Sequence, residues 1–324
     1  MDEVWVLAEQ QGGEPAGIVL ELLTAARRFA VAVEAVTWGP AAVAAAGVLG
    51  RYGAGKVYAL GDIGESLPGP KVAAALAALV SGGDRPDAIL IGATRDGRDV
   101  AARLSARLDL PVLANVVGID TSGPRPASVH TIFGGSVVVR AEFTGPVPGI
   151  FLVQAKSFVP EPAEPAGQRS PDIVAIGVPE TGRGDGARVV GRHVAEHGGP
   201  KLDEAAVVVA GGRGLGSPAN YALVTELAQL LHGAAGATRA VVDSGWVPYA
   251  SQIGQTGKTV KPKVYVACGI SGATQHLVGM KDAEHIIAIN KDRQAPVFAI
   301  ADLGVVGDVT TVLPKLIEAI KARR

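Results

Sequence analysis

A glycine-rich turn after an apolar segment is the first feature of this sequence suited to chemistry. The run Gly211-Gly212-Arg213-Gly214-Leu215-Gly216-Ser217 follows the apolar segment Ala206–Ala210 and precedes a segment of helical periodicity. Glycines at such a turn let backbone N–H groups approach an anion at a helix N-terminus. Arg213 favours an anion site, because a guanidinium pairs well with phosphate. The run has neither the GxGxxG register nor a Walker A lysine, so a plain tight turn remains an alternative.

A second polar turn concentrates hydrogen-bonding groups with little steric bulk. Gln252-Ile253-Gly254-Gln255-Thr256-Gly257-Lys258 places two amides and a hydroxyl among glycines. Glutamines beside glycine are not the usual turn residues, which favours a binding loop over a generic polar loop.

A third small-residue turn, Gly269-Ile270-Ser271-Gly272-Ala273-Thr274-Gln275-His276, directly follows the apolar segment Val264–Cys268. We expect Ser271 to cap the following helix and leave N–H groups free for a phosphate. His276 falls in the first turns of that helix. A lone histidine is more often structural than functional, and both interpretations stay open.

Three further groups lie at the ends of predicted strands. Arg239 begins the predicted strand Thr238–Asp243, and Asn290 ends the predicted strand Ile286–Asn290. Asp302 and Asp308 follow a predicted strand over Val297–Ala301. An amide suits a ribose or adenine edge, and a carboxylate suits a ribose hydroxyl. A surface arginine and ordinary helix capping are the alternatives.

The elements that must position these groups form a regular unit. Five apolar strands with helical or loop crossovers in the last part of the chain predict a doubly wound, Rossmann-like or flavodoxin-like domain. In such open α/β sheets, ligands bind beyond the carboxyl ends of the strands, which is where most of these groups lie. We assign this domain to residues 196–324.

Residues 1–195 predict a separate α/β domain. Val4–Leu7, Val31–Val36, Val57–Leu60 and Ala88–Ile91 are expected as buried strands that alternate with helices, which favours a mostly parallel sheet. Thr131–Arg140 and Gly149–Ala155 are expected as strands of an added, partly antiparallel piece. The Pro-rich stretch 158–165 predicts an extended crossing or a flexible linker. Val189–Gly191 is expected as a short closing strand.

Composition narrows the classes of function. Of 324 residues, 48% are hydrophobic and 19% charged, with a formal net charge of −1. That charge argues against a general electrostatic grip on nucleic acid or anionic membrane. The single cysteine, Cys268, cannot form an intrachain disulfide, and we expect no metal site. We find no signal peptide and no membrane-spanning segment, and expect a soluble cytoplasmic protein.

The ordered set of motifs resembles a known family. Residues Gly211–Ser217, Thr238–Gly245, Gly254–Lys258, Gly269–Leu277 and Ala288–Asp292 together resemble the α subunits of electron-transfer flavoproteins. The resemblance is close from about Ala206 to the C-terminus and looser over the first half. It implies one FAD in the second domain, with contacts from Arg213, Thr238, Arg239, Ile253, Gly254, Gln255, Thr256, Ser271, Gly272, Ala273, Thr274, Gln275, His276, Asn290, Asp308 and Val309.

The resemblance also implies roles for three of these residues. Arg239 would lie against the isoalloxazine, Thr256 near its N5 and His276 near its O2 edge. A flavin that gains an electron without a proton becomes negative, and cationic or donor groups such as Arg239 and His276 would stabilise it. At about 4 Å and an effective dielectric constant near 20, a unit charge contributes roughly 4 kcal/mol.

The family resemblance implies an electron carrier with no substrate chemistry of its own. Its members pair with a β subunit that usually carries AMP, accept electrons from acyl-CoA dehydrogenases and deliver them to a membrane quinone oxidoreductase. The first domain would make the β contact. Alternatively, some members bifurcate electrons with a second FAD in the β subunit.

Two other classes compete with an electron carrier. A nicotinamide-dependent oxidoreductase is disfavoured by the missing GxGxxG register and by the lack of an acid–base pair. A nucleotide-binding module would take AMP or ATP and would show no flavin absorbance.

Overall fold

The computed structural model of the chain describes residues 1–123, 125–133, 137–145, 147–163, 170–182, 186–191 and 200–323. The chain divides into two compact units, Met1–His193 and Val194–Arg324. Each unit has its own sheets and its own apolar core.

The first unit alternates strands and helices over its first two thirds. Its elements are β1 Glu3–Ala8, β2 Gln10–Gln11, β3 Glu14–Pro15, α1 Gly17–Ala26, β4 Ala32–Trp38, α2 Ala42–Arg51, β5 Lys56–Leu60, α3 Pro68–Gly82, β6 Ala88–Gly92, α4 Arg95–Leu108, β7 Val112–Val116, β8 Gly118–Asp120, β9 Ala127–Ile132, β10 Val137–Ala141, β11 Gly149–Val153 and β12 Asp172–Ile176.

A parallel sheet forms the centre of the first unit. Within the described residues it has seven strands, in the order β12-β5-β4-β1-β6-β11-β7. Helices α1 and α2 pack on one face, and α3 and α4 on the other. Trp5, Ile89 and Phe151 are fully buried, as expected for central strands covered on both faces. The predicted mostly parallel α/β sheet is confirmed.

The strands after Pro111 differ from the prediction. The segment predicted as one strand, Thr131–Arg140, contributes to both β9 and β10, which pair antiparallel with Thr131 opposite Val138. Strand β11 was expected in the antiparallel piece, but it lies in the main sheet between β6 and β7. Every residue of β11 is buried, because a continuous apolar run without alternation is stable only when both faces are covered.

The Pro-rich stretch is a crossing within the first unit. It leads from β11 to β12, which is the edge strand of the same sheet, so its interpretation as a linker between domains is wrong. Its first part is tied to α1. The Glu21 carboxylate accepts the N–H groups of Lys156 at 3.1 Å and Phe158 at 3.3 Å, and the Thr24 hydroxyl accepts that of Glu161 at 3.0 Å. Val189–Gly191, predicted as a strand, belongs to no strand.

The second unit is the predicted doubly wound domain. Its elements are β13 Val207–Gly211, α5 Tyr221–Leu230, β14 Ala234–Ala237, α6 Arg239–Asp243, β15 Val264–Cys268, α7 Thr274–Leu277, β16 His285–Asn290, β17 Leu303–Val306 and α8 Val309–Lys321, with short 3-10 helices at Arg213–Leu215, Pro218–Asn220, Tyr249–Ser251 and Pro296–Ile300. The sheet is parallel in the order β14-β13-β15-β16-β17, the flavodoxin-like arrangement 2-1-3-4-5. No helix in the described ranges is long and apolar enough to cross a bilayer.

Two predicted strands of this unit are displaced. The strand expected over Thr238–Asp243 is instead the preceding segment, β14, and Arg239–Asp243 is helical. Small residues in β14 leave room for neighbours, since a Cβ on Gly236 would lie 2.4 Å from Ile253 Cδ1. The strand expected over Val297–Ala301 is replaced by the 3-10 helix and by β17 further along the chain. Asp302 therefore precedes a strand rather than following one.

Three glycines join the carboxyl ends of β13 and β15. The N–H of Gly212 donates to the Cys268 carbonyl and that of Gly214 to the Gly269 carbonyl, both at 2.9 Å. A Cβ on Gly212 would lie 2.4 Å from the Gly269 oxygen, and one on Gly214 would lie 2.7 Å from Gly269 Cα. Helix α5 packs on one face of the sheet and Leu277 of α7 on the other, so this is the point where the chain reverses its winding.

A buried carboxyl group closes the corresponding edge of the first sheet. Glu9 follows β1 and accepts a hydrogen bond from the Thr94 hydroxyl at 2.6 Å, while that same hydroxyl accepts the Gly97 N–H at the start of α4. Burial raises the pKa of Glu9 to about 7. The folded chain therefore holds the Glu9 proton more tightly than the unfolded chain does.

This shift predicts a pH-dependent stability that Glu9→Gln removes. Between pH 4.5 and about 7 the folded state binds more protons at Glu9, so its contribution falls as pH rises through the folded pKa. At pH 8, we expect Glu9→Gln to raise the free energy of unfolding by about 1 to 2 kcal/mol, the full linkage being reduced by partial exposure. Urea unfolding at pH 5 and pH 8 checks this. An equal effect at both pH values would contradict the assignment.

The glycine contact predicts a steric cost for Gly212→Ala. Gly212 has φ −113°, which alanine adopts freely, so any loss arises from the Cβ contact with Gly269. We expect the free energy of unfolding to fall by about 1 to 3 kcal/mol. Gly47→Ala in α2 is the control, since a Cβ there meets nothing within 4 Å and should be neutral or stabilising. Equal stability of the Gly212→Ala protein and the unchanged protein would refute the close approach.

Candidate functional site

A cavity of about 650 Å³ lies at the carboxyl ends of strands β13 to β16 in the second unit. This volume is within the usual range of small-molecule and cofactor sites. The wall combines glycine turns, side-chain amides and hydroxyls, two arginines and two isoleucines. The lining residues are Gly212, Arg213, Gly214, Thr238, Arg239, Ala240, Asp243, Gln252, Ile253, Gly254, Gln255, Thr256, Gly269, Ile270, Ser271, Ala273, Gln275, His276, Asn290, Asp292, Ala295 and Pro296.

Most of the residues predicted from the sequence come together in this cavity. They are Arg213, Thr238, Arg239, Ile253, Gly254, Gln255, Thr256, Ser271, Ala273, Gln275, His276 and Asn290. These residues are spread over nearly eighty positions of sequence, and the parallel sheet brings them to one edge because each follows the carboxyl end of a strand.

Four predicted residues do not line the cavity. Gly272 packs against the next connection, where a Cβ would lie 2.3 Å from the Val297 nitrogen, and Thr274 is exposed in α7. Asp308 caps α8 by accepting the Thr310 N–H at 2.9 Å, and Val309 is buried in the core. These last two residues follow β17 at the edge of the sheet, away from the strands that bound the cavity.

The cavity also includes residues that the sequence did not single out. Gly212, Gly214 and Gln252 belong to the recognised motifs, so their motif was the available signal. Asp243, Asp292 and Ala295 carried no signal, because their positions depend on where α6 and the 3-10 helix begin.

The arginines bring positive charge to the cavity. Arg239 lies at the first position of α6, and its Nε is 3.2 Å from the Asp243 carboxylate one turn later, with both side chains largely exposed. Arg213 begins the 3-10 helix directly after Gly212. The exposed Arg239–Asp243 pair is screened by solvent, so the guanidinium can reorient toward an anionic ligand at little cost.

The loop from Gln252 to Lys258 is held against α7. The N–H of Gln255 donates to the Gln275 carbonyl at 2.7 Å, and Gly254 has φ 137°, a conformation that glycine adopts readily. A Cβ on Gly254 would lie 2.6 Å from that same carbonyl oxygen. Inside the loop, the Gln252 amide donates to the Thr256 hydroxyl at 3.0 Å.

His276 is buried, and both of its ring nitrogens have protein partners. Nδ1 is 3.0 Å from the Ile253 carbonyl oxygen, and Nε2 is 2.9 Å from the Tyr265 hydroxyl. Because a carbonyl only accepts, Nδ1 carries the proton and Nε2 accepts from the tyrosine. Burial lowers the pKa of His276 to about 4, so the ring is neutral at pH 7. Of the two groups expected to stabilise a negative charge, only Arg239 brings a positive one.

Two other predicted groups bind the protein's own backbone. The Asn290 amide donates to the Ile270 carbonyl at 2.8 Å, and its oxygen accepts the Asp292 N–H at 2.9 Å, which joins the turns after β15 and β16. The residue that precedes α7 is Ala273, without a side-chain cap, so the expected Ser271 cap is wrong. The Ser271 carbonyl instead accepts the Val297 N–H at 3.1 Å.

The arrangement suits binding more than nucleophilic or proton-transfer chemistry. Cys268 is fully buried beneath the cavity, and burial raises its pKa to about 12, so it is a thiol at neutral pH. Asp243 is paired with Arg239, and His276 is neutral and fully hydrogen-bonded. Backbone N–H groups, amides, a hydroxyl and arginines can together hold a ligand that carries both phosphates and a planar ring.

Comparison with known sequence families gives two matches. The family described as electron transfer flavoprotein FAD-binding domain matches residues 201–281, and the electron transfer flavoprotein domain matches residues 4–181. The second match covers more than half of the chain.

Full-length relatives agree with these matches. The electron transfer flavoprotein subunit alpha of Mycobacterium leprae (strain TN) is 42% identical over 328 residues, covering 100% of both chains. That of Mycobacterium tuberculosis (strain ATCC 25618 / H37Rv) is 43% identical over 326 residues, again covering 100% of both. Protein FixB of Clostridium saccharobutylicum is 36% identical over 329 residues, covering 98% of this chain and 96% of that protein. The chain therefore belongs to the electron-transfer flavoprotein α-subunit family, and its second unit carries the FAD-binding domain of that family.

Proposed function

We propose that the cavity of the second unit binds one FAD and that the chain carries single electrons as the α subunit of an αβ heterodimer. The observation that carries this proposal is the convergence of the predicted contact residues in one cavity within a matched FAD-binding domain. FAD, when bound, supplies the redox step, and the protein supplies binding and electrostatics.

The residues of the cavity fit this cofactor. The glycine turns after β13 and β15 provide a cradle that any Cβ would fill, as phosphate-binding turns require. Ile253 and Ile270 give the wall apolar surface for a ring, and Gln255 and Thr256 give it polar groups at the rim. Arg213 and Arg239 complement the negative charge of the phosphates and of a reduced ring.

The neutral state of His276 assigns the electrostatic work to the arginines. A buried ring with a pKa of about 4 adds no positive charge at neutral pH. It instead fixes the Ile253 carbonyl and thereby the cavity wall. Arg239 therefore sets the potential of the bound group, and Asp243 holds the guanidinium at the cavity until the ligand arrives.

The wider role follows from family membership. The chain accepts electrons from flavoprotein dehydrogenases, such as acyl-CoA dehydrogenases, and passes them to a membrane quinone oxidoreductase without substrate chemistry of its own. Residues 196–324 hold the FAD, and residues 1–195 contact the β subunit, which carries AMP. The assembly works in the cytoplasm.

An apolar sheet in the first unit is the proposed contact for the β subunit. Strands β8, β9 and β10 form an antiparallel sheet, and β10 has a strand neighbour on one side within the described residues. Val137 and Val139 lie on one face of β10 and Val138 on the other, and all three are exposed. Ile132 and Phe133 extend this surface. An exposed apolar strand at a sheet edge is typical of a protein–protein contact.

Co-expression with the β subunit tests the cofactor. The purified complex is expected to be yellow, with oxidised-flavin absorbance and one FAD per αβ pair. A colourless complex that retains no FAD after incubation with an excess would refute the proposal. Two flavins per pair would instead indicate the electron-bifurcating type.

Arg239→Ala is expected to lower the one-electron reduction potential of bound FAD. Loss of a nearby positive charge disfavours the reduced, negative ring. Because the side chain is largely exposed, we expect a shift of about 30 to 100 mV rather than the value for a buried charge. Spectroelectrochemical titration measures it. The control is Arg323→Ala, which removes an exposed guanidinium near the end of the chain. Identical potentials in the Arg239→Ala and unchanged complexes would exclude this role.

Val138→Asp is expected to weaken association with the β subunit at least tenfold, about 1.4 kcal/mol, because a carboxylate would lose its hydration in an apolar contact. Affinity co-purification and calorimetric titration measure this. The matched control is Val43→Asp, since Val43 is 61% exposed against 62% for Val138 and lies in the first turn of α2. Equal affinities for the two variants would place the β contact elsewhere.

A further inference from the structure

A buried glutamine supports an exposed hydroxyl in the cavity. Gln252 is only 2% exposed, whereas Thr256 is exposed at the rim, and both residues line the cavity. The Gln252 Nε2 lies 3.0 Å from the Thr256 Oγ1. The glutamine was part of a recognised polar loop, but neither its motif nor the family resemblance gave it a role.

The backbone of Gln252 is fixed on three sides. Its N–H donates to the Tyr249 carbonyl at 2.9 Å, and its carbonyl accepts the Lys258 N–H at 2.7 Å. A parallel bridge pairs it with Ala237 at the end of β14. Gly257 closes over it, since a Cβ there would lie 2.4 Å from the Gln252 oxygen. The side-chain amide therefore approaches Thr256 from a rigid base.

The direction of this hydrogen bond decides where the threonine proton points. An amide nitrogen only donates, so Thr256 Oγ1 is the acceptor. A hydroxyl has one proton in addition to its lone pairs, and that proton is not used by Gln252. Within the described part of the chain, no protein group accepts it. The Thr256 hydroxyl is thus left as a donor for a ligand in the cavity.

We infer that Gln252 is a positioning residue that orients the Thr256 hydroxyl as a hydrogen-bond donor to the ring of the bound cofactor. This inference rests on the proposed FAD site. A donor held in place before the ligand binds needs no reorganisation, and it stabilises electron density that accumulates at its acceptor. Gln252 acts through Thr256, so its effect on the cofactor depends on the threonine hydroxyl.

A double-mutant cycle on the full αβ complex tests this dependence. The variants are Gln252→Met, Thr256→Val and their combination, with Thr256→Ser as the conservative variant that keeps the hydroxyl. FAD content is read first. If the unchanged complex binds no FAD, the proposed function fails; if it binds FAD, the cycle judges the role of Gln252 alone.

The readout is the equilibrium constant for uptake of the first electron, obtained from the reduction potential. Gln252→Met and Thr256→Val are each expected to change it at least threefold in the same direction. The combination is expected to match Thr256→Val within experimental error, since the two residues act as one unit. Thr256→Ser is expected to stay close to the unchanged protein.

Additive effects in the combined variant would overturn the inference, as would a Gln252→Met protein with unchanged potential. If Gln252→Met does not fold or retain FAD, Gln252→Glu replaces it, because the carboxylate has the same shape but accepts the threonine proton. Its effect is then expected to be at least threefold larger with Thr256 than with Val at that position. Equal effects in the two backgrounds would show that residue 252 acts directly or only structurally.

Discussion

The close approach of the backbone at Gly212 and Gly214 to that at Gly269 is the constraint on which the second unit depends. At the carboxyl ends of β13 and β15, two turns touch where any side chain would collide. Their N–H and C=O groups bond across the gap, which fixes the two strand ends as one rigid edge. Because the chain winds to opposite faces of the sheet after these strands, the edge also opens a crevice. The cavity exists because glycine is present at each contact.

Beneath the cavity, buried polar side chains are satisfied by single, specific partners. His276 joins the Ile253 carbonyl to the Tyr265 hydroxyl, and the Gln252 amide supports Thr256. A buried polar group without a partner would cost about 1 to 3 kcal/mol, so these pairings restrict the loop to one arrangement. The formal charges, in contrast, stand at the rim, where Arg239 and Asp243 are exposed. A neutral, rigid wall with a charged rim separates the shape of the site from its electrostatics.

The two units use related α/β architectures for different ends. In the second, the turn after the first strand is built of glycine and borders a cavity. In the first, the residue after β1 is Glu9, whose carboxyl group bonds to Thr94 at the start of α4. That helix N-terminus therefore meets a side chain of its own unit. The apolar β8–β9–β10 sheet, rather than a strand edge, is the surface that the first unit leaves for another molecule.

The sequence alone determined the parallel α/β class, the glycine turns and most of the cavity residues. Continuous apolar runs such as Val264–Cys268 can be buried only inside a covered sheet, and groups that follow such strands must meet at one edge. Tertiary structure decided the rest. Ala234–Ala237 is a strand because Ile253 packs on its small residues, against the β preference of Val241 and Val242. The neutral state of His276 and the support of Thr256 by Gln252 arise from partners brought together only by folding, which local sequence does not encode.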